Sequence, residues 1–193
     1  MHQNKPQIFV IAGPNGSGKT TSAKTLLPDV LECEEYVNAD AVAAALSPFY
    51  PDRVAIQAGR LMLGRIQYLA DRGKSFAFET TLASRSFILF LKECISKGYE
   101  INILFLWLQS SEVAIKRVKD RVEQGGHDIP QNVIIRRYHR SIYNFLTEYS
   151  SIANNWFLYD NTGKYSELIS EKIGSGRINI VDDKLWKMVN KGS

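Results

Sequence analysis

The residues best suited to chemistry lie in one glycine-rich segment near the start of the chain. The segment GPNGSGKT, residues 13–20, matches the pattern G-x-x-x-x-G-K-[ST] at every fixed position. Such a loop surrounds a polyphosphate with backbone N–H groups, and its flanking apolar and helix-compatible runs favour this interpretation over an incidental glycine-rich turn. We predict that Lys19 reaches the β- and γ-phosphates of a nucleoside triphosphate and that Thr20 binds Mg²⁺. The predicted nucleotide-binding residues are Gly13, Pro14, Asn15, Gly16, Ser17, Gly18, Lys19, Thr20 and Thr21.

Two carboxylates follow short runs that have the pattern of strands. Asp40 and Glu79 stand where these strands end, and the carboxyl ends of parallel strands meet at one ligand crevice. Asp40 could accept the proton of an attacking hydroxyl, or cap the alanine-rich helix that follows it, or do both. Glu79 could hydrogen-bond substrate hydroxyls or hold a metal ion through water, unless it is simply a solvated residue at a strand end.

A group of arginines lies on two predicted helices separated by the sequence Gly125-Gly126-His127. We interpret residues 117–140 as a lid-like segment that closes over phosphates and neutralises the charge of a transferred phosphoryl group. A solvated basic face is the alternative, and His127 is a loop or hinge residue rather than a base. The arginines are Arg117, Arg121, Arg136, Arg137 and Arg140.

The elements that must position these residues alternate along the chain. Strands are predicted at 7–12, 35–38, 75–79, 101–108 and 156–159, and helices at 19–27, 40–46, 54–72, 87–97, 111–122 and 131–149. Pro28 is the expected stop of the first helix, and the expected apolar face of the helix at 54–72 consists of Ile56, Leu63, Ile66 and Leu69. Alternation of this kind implies an α/β fold with a central parallel sheet of about five strands and helices on both faces. Together with the glycine-rich motif it predicts a three-layer P-loop NTPase sandwich. We expect one domain over residues 1–193. A helix at 166–173, a strand at 177–181 and a short closing segment are predicted at the end.

Composition narrows the class of protein further. The chain has 193 residues, 45% of them hydrophobic and 23% charged, with a net charge of +4. Two cysteines, Cys33 and Cys94, are too few for a disulfide framework and are expected to be buried thiols. We expect no signal peptide from the polar N-terminal residues, and no apolar run reaches about 18 residues, so we expect a cytoplasmic protein without membrane contact. Removing Lys19 and the five arginines from the 24 basic residues, and Asp40 and Glu79 from the 20 acidic ones, leaves 18 of each. The positive charge therefore indicates a local phosphate-handling cleft, and a nucleic-acid partner is disfavoured.

The strongest predicted strand, residues 101–108 (INILFLWL), contains neither Asp nor Glu. A motor-type ATPase carries its metal-organising carboxylate near the end of such a strand. This absence favours a small kinase over a helicase or transporter ATPase.

Together the motifs resemble the zeta-toxin family of P-loop kinases, in particular its small stand-alone bacterial branch. The similar stretches are IAGPNGSGKTT (11–21), NAD (38–40), AGR (58–60), FETTL (78–82), LFLWLQSSEVAIKRV (104–118) and RVEQGGHDIPQNVIIRRYHRS (121–141). The resemblance implies a doubly wound P-loop kinase fold, ATP or GTP with Mg²⁺, and phosphoryl transfer to a sugar hydroxyl. In the toxins proper the acceptor is UDP-N-acetylglucosamine.

The resemblance also implies roles for individual residues. Asp40 takes the place of the general base, and Arg121 with one of Arg136 or Arg137 looks like the pair that stabilises the transferred phosphate. Substrate-binding residues implied by the matched stretches are Glu79, Thr80 and Arg60.

Three functions remain open at this point. The first is a kinase of a nucleotide-activated amino sugar, with a possible role as the toxin of a toxin–antitoxin pair that has a separate antitoxin protein. The second is a kinase of another small metabolite or of a nucleic-acid end. The third, a nucleotide-binding regulatory module without turnover, needs neither Asp40 nor the arginines and is disfavoured by their presence.

Overall fold

The computed structural model describes residues 5–27, 31–126 and 128–191, and their strands form one seven-stranded sheet. The strand order is β2-β3-β1-β4-β5-β6-β7; neighbours pair in parallel from β2 to β5 and antiparallel from β5 to β7. The strands are β1 (Gln7–Ala12), β2 (Tyr36–Val37), β3 (Phe76–Thr80), β4 (Glu100–Trp107), β5 (Asn155–Asp160), β6 (Glu167–Lys172) and β7 (Asn179–Ile180). The five predicted parallel strands are therefore confirmed.

Helices cover both faces of this sheet. They are α1 (Lys19–Leu26), α2 (Ala39–Leu46), α3 (Ala55–Asp71), α4 (Ile88–Ser96), α5 (Ser111–Glu123), α6 (Gln131–Asn144), α7 (Ser150–Ile152) and α8 (Asp183–Lys191), with a 3-10 turn at Pro51–Val54 and a π-helical segment at Phe145–Tyr149. Side chains of β1 alternate between two apolar clusters: Ile8 and Val10 pack with α3, α4 and α6, and Phe9 and Ile11 pack with α1. The predicted three-layer α/β architecture is confirmed.

The carboxyl-terminal part differs from the prediction. Residues 166–173, predicted as a helix, contain the strand β6, which pairs antiparallel with β5. Glu, Leu and Lys favour helices locally, but here the buried Ile169 and Ser170 complete the sheet, and tertiary pairing overrides the local propensity. The predicted strand 177–181 is present as the two-residue β7, and the closing segment is the helix α8.

The helix predicted at 54–72 is present as α3, but half of its predicted apolar face is wrong. Ile66 and Leu69 are buried as expected, whereas Ile56 is 78% exposed and Leu63 is 45% exposed. Met62 lies between them in the core, because a helix in contact with a sheet along one stripe buries only that stripe. Ile56 and Leu63 are therefore left on the open side of the helix.

Other expectations concern single residues. Both Cys33 and Cys94 are buried free thiols, as the low cysteine content predicted. A search of the described residues finds no helix that is both long and apolar enough to cross a membrane. The predicted helix stop at Pro28 and the loop residue His127 lie outside the described residues.

Candidate active site

The glycine-rich loop connects the carboxyl end of β1 to the first turn of α1, as the sequence predicted. Gly13 has φ +140°, and a Cβ there would lie against the carbonyl oxygen of Leu106 on β4. Gly18 has φ +84°, and a Cβ would come within 2.8 Å of the Asn161 amide. Only glycine fits such close backbone approaches at positive φ, and the loop is therefore folded as tightly as a phosphate cradle requires.

Polar atoms inside this loop are buried without a hydrogen-bond partner in the described part of the chain. They are Oδ1 of Asn15 and Oγ of Ser17, whose side chains are almost wholly buried. A buried polar atom without a partner is costly, and such atoms mark places where a ligand or water completes the bonding. The loop therefore has the shape of a preformed site for a polar ligand.

Lys19 lies inside the same loop and donates from Nζ to the Pro14 carbonyl oxygen at 2.8 Å. Burial lowers the pKa of Lys19, with smaller lowering contributions from Arg121 and Arg137, while Glu79 and Asp40 raise it. The ammonium is therefore surrounded by both signs of charge in a poorly hydrated place. An anionic phosphate beside it would offset the cost of burying the charge.

The outside of the loop is supported by the chain that follows β5. Asn161 donates from Nδ2 to the Ser17 carbonyl oxygen at 2.6 Å, and Arg117 donates to the carbonyl oxygens of Thr162 at 2.8 Å and Gly16 at 3.4 Å. Arg117 does not line the cavity in front of the loop. The prediction that Arg117 belongs to a phosphate-covering group is therefore wrong, because its guanidinium is committed to backbone carbonyls behind the loop.

Four side chains meet where α1, β2 and β3 come together. Oε2 of Glu79 accepts hydrogen bonds from Tyr36 Oη at 2.6 Å, Asn38 Nδ2 at 2.7 Å and Thr20 Oγ1 at 2.8 Å. Asn38 Nδ2 also reaches Tyr36 Oη at 3.1 Å. Burial, followed by the hydrogen bond to Glu79, raises the pKa of Tyr36, so that its phenol remains a donor at neutral pH. Glu79 is thus held on one side by three donors rather than lying free in solvent.

Asp40 lies in the first turn of α2 with an exposed side chain. The cap of this helix is Asn38, whose Oδ1 accepts from the backbone N–H groups of Asp40 at 2.7 Å and Ala41 at 3.1 Å. The alternative that Asp40 itself is the cap is therefore wrong. The carboxylate of Asp40 does not cap the helix, and it lines the cavity beside Lys19.

A cavity of about 550 Å³ joins these parts. Its charged lining has six cationic and two acidic side chains among the described residues, an excess of four positive charges. Arg60 on α3 and four arginines of α5 and α6 line this cavity, so the arginines that the sequence grouped are brought together apart from Arg117. The charged lining residues are Lys19, Asp40, Arg60, Glu79, Arg121, Arg136, Arg137 and Arg140.

One wall of the cavity is apolar. Ile56 and Leu63, two exposed residues of α3, lie here with Phe87 before α4. Thr80 and Thr81 at the end of β3 lie in the same cavity. The cavity therefore offers cations, hydroxyls and an apolar surface outside the phosphate loop.

Sequence reasoning missed several residues of this site. Tyr36 is two residues before Asn38, and alternation along an extended segment would have placed both on one face. Ile56 and Leu63 were assigned to the core. No motif marks Asn161, because it lies in a loop 144 residues after Ser17, the residue whose carbonyl oxygen it binds.

The oxygen donors fit a small hard cation. Thr20 Oγ1 directs its hydrogen to Glu79 and accepts a long contact from Asn38 Nδ2 at 3.5 Å, which leaves a lone pair for a ligand. Mg²⁺ is commonly held by one or two protein oxygens together with substrate phosphates and water, which this pair can supply. No cluster of three or more His, Cys, Asp or Glu suited to a metal occurs in the described ranges.

The sheet order, the loop between β1 and α1 and the cavity beyond it define the P-loop kinase fold. The Zeta toxin family model matches residues 1–167, and the chain belongs to the zeta toxin family. A curated relative, an uncharacterized protein of Haemophilus influenzae, is 29% identical over 136 residues, which are 70% of this chain and 94% of the relative.

Solved structures share the fold at low sequence identity. The AvrRxo1-ORF1:-ORF2 complex with ATP superposes with a TM-score of 0.81 at 16% identity over 98% of this chain, which spans only 64% of that chain's length. The PezAT chromosomal toxin–antitoxin system of Streptococcus pneumoniae gives a TM-score of 0.64 at 13% identity, covering all of this chain and 87% of the other. The family and the fold are thereby established together.

Proposed function

We propose that the protein is a Mg²⁺-dependent kinase that transfers the γ-phosphate of ATP or GTP to a hydroxyl of a nucleotide-activated amino sugar similar to UDP-N-acetylglucosamine. One observation carries the proposal: a single cavity joins the phosphate loop, the exposed carboxylate of Asp40 and five arginines. Binding a nucleotide for regulation alone needs neither a carboxylate nor so many cations. Family membership supports the same reaction class.

The triphosphate would occupy the loop between β1 and α1. Its oxygens would accept a hydrogen bond from the buried Ser17 hydroxyl, and Lys19 would exchange the Pro14 carbonyl for the β- and γ-phosphates. Thr20, assisted by Glu79, would hold Mg²⁺. The ion, when bound, neutralises phosphate charge and aligns the phosphates.

The acceptor hydroxyl would attack the γ-phosphorus from the side of α2. A new P–O bond forms to the hydroxyl oxygen, the bond to the nucleoside diphosphate breaks, and the hydroxyl proton passes to Asp40. Asp40 suits this role because Asn38 caps the helix in its place and leaves its carboxylate in the cavity. Glu79, Thr80 and Arg60 would contact the acceptor.

The arginines divide by burial and by whether their charge acts on Lys19. Arg121 and Arg137 are half-buried and both act on the charge of Lys19, which supports Arg137 rather than Arg136 as the second phosphate-stabilising arginine. Arg60, Arg136 and Arg140 are exposed along the outer cavity. A cavity with an excess of four positive charges suits an acceptor that carries phosphates of its own, as nucleotide sugars do.

The protein would act in the cytoplasm, where its nucleotide substrate is available, as the toxin of a toxin–antitoxin pair. Support comes from family membership and from the PezAT and AvrRxo1 complexes, each of which contains a second chain. An acidic antitoxin surface would complement the cationic cavity.

The test is an acceptor screen with γ-labelled ATP and the purified protein. We expect label on UDP-N-acetylglucosamine, and we expect Asp40→Asn to reduce transfer at least about a hundredfold while ATP affinity by calorimetry stays within about twofold. Asp120→Asn, an exposed carboxylate of α5 outside the cavity, is the matched control and should leave both unchanged. Label on another metabolite or on a nucleic-acid end would contradict the proposed acceptor. No transfer to any acceptor would contradict the proposed kinase activity.

A further inference from the structure

The short edge strand β2 contributes a side chain to the metal side of the site without lining the cavity. Tyr36 is half-buried, and its hydroxyl lies 2.6 Å from Oε2 of Glu79, the carboxylate oxygen that also accepts from Thr20. Tyr36 is therefore two hydrogen bonds away from the hydroxyl that would hold Mg²⁺. Nothing in the P-loop pattern or in the strand-end carboxylates requires a phenol at this place.

We propose that Tyr36 is a positioning residue for the metal side of the site: its hydroxyl fixes Glu79 so that Glu79 in turn orients the Thr20 hydroxyl toward Mg²⁺. This inference rests on the proposed nucleotide and metal binding, and it concerns a residue that has no role in the proposed function.

Glu79 needs this support because a glutamate side chain has three rotatable bonds. Tyr36 of β2 and Asn38, the cap of α2, both donate to Oε2, while Thr20 donates to the same oxygen from α1. With the Tyr36 and Asn38 donors present, the carboxylate oxygen has a fixed place, and the Thr20 hydrogen must point to that place. The Thr20 lone pairs then face away from Glu79, where the loop holds its phosphates.

Asn38 cannot supply this positioning alone. Its Nδ2 is shared among Glu79, Tyr36 Oη and, at 3.5 Å, Thr20 Oγ1, and its Oδ1 is occupied by the first turn of α2. The phenol therefore completes a closed arrangement in which each polar group restrains the next. Phenylalanine at position 36 would preserve the packing of the ring and remove only the donor.

The experiment measures the preference for Mg²⁺·ATP over metal-free ATP by calorimetry, as the ratio of the two affinities. Tyr36→Phe should lower this ratio about threefold to tenfold and leave metal-free ATP affinity within about twofold, since a charge-assisted hydrogen bond has an effect of this order. The matched control is Tyr99→Phe, a buried phenol that donates to the backbone carbonyls of Ala70 and Lys74 and should leave the ratio unchanged.

A double-mutant cycle separates positioning from general stability. If Tyr36 acts through Glu79, adding Tyr36→Phe to Glu79→Gln should change the ratio much less than it does alone. An unchanged ratio in Tyr36→Phe, an equal loss of affinity with and without Mg²⁺, or full additivity in the cycle would each overturn the inference. Wild-type protein that fails to bind ATP would overturn the proposed function as well, whereas ATP binding without transfer to a UDP-sugar would overturn only the acceptor.

Discussion

The two ends of the cavity are built from different parts of the chain. At the nucleotide end, the backbone of the loop after β1 is fixed by its neighbours: Arg117 and Asn161 donate to its carbonyl oxygens, and Gly13 lies against the backbone of β4. At the acceptor end, exposed side chains of α3 and α6, among them Arg60 and Arg136, form the wall. The first end is thus fixed by the fold, whereas the second can change by single substitutions that leave the sheet intact.

Removing the lysine should have the largest effect on the nucleotide end. We expect Lys19→Ala to weaken ATP affinity about a hundredfold, because its ammonium is buried where the phosphates would lie. Lys24→Ala, an exposed lysine of the same helix α1, should leave the affinity within twofold. Calorimetric titration with ATP measures both affinities. Equal affinities of the two variants would contradict the assignment of the loop as the phosphate site.

Arg136 and Arg137 test where the boundary between the two ends lies. Arg137→Ala should lower kcat about tenfold or more with little change in the KM of the acceptor, because Arg137 acts on the charge of Lys19. Arg136→Ala should instead raise the acceptor KM about tenfold with kcat nearly unchanged. Steady-state kinetics of the two variants measure this split, and the reverse pattern would exchange their assignments.

The smallest effect is expected at the apolar wall. Ile56→Ser should raise the acceptor KM about threefold, and because Ile56 is 78% exposed, the free energy of unfolding should change by less than about 0.5 kcal/mol. Leu89→Ser is the matched control, since Leu89 is 80% exposed on α4 and does not line the cavity. Chemical denaturation and acceptor kinetics check both values. A KM that is the same in the two variants would show that the apolar wall does not contact the acceptor.

The nucleotide end was the more predictable of the two from sequence. A fixed pattern identifies the loop because glycine, lysine and threonine are each required there for a separate physical reason. Strand-end logic also brought Asp40 and Glu79 to one crevice, since the order of parallel strands determines where their carboxyl ends meet. Their roles stay predictions.

The acceptor end was harder to predict, for reasons of geometry. Periodicity shows that α3 is amphipathic, but it does not show which of its apolar residues lie beyond the edge of the buried stripe. The prediction that Ile56 and Leu63 lie in the core is wrong for this reason. Arg117 and Arg121 are one helical turn apart, yet one lies behind the loop and the other in front of it. The strand β6 forms because it pairs with β5, and local propensity contains no information about that pairing.

Asn38 joins the two ends through a single amide group. Its nitrogen is bound to Glu79 at the end of β3, and its oxygen caps the helix that carries Asp40. In the proposed reaction, an acceptor that displaced Glu79 would therefore also displace the carboxylate that would take the proton. Selectivity would then arise at turnover rather than at binding: a compound could occupy the cavity tightly and still be phosphorylated slowly, because moving one carboxylate would misalign the other.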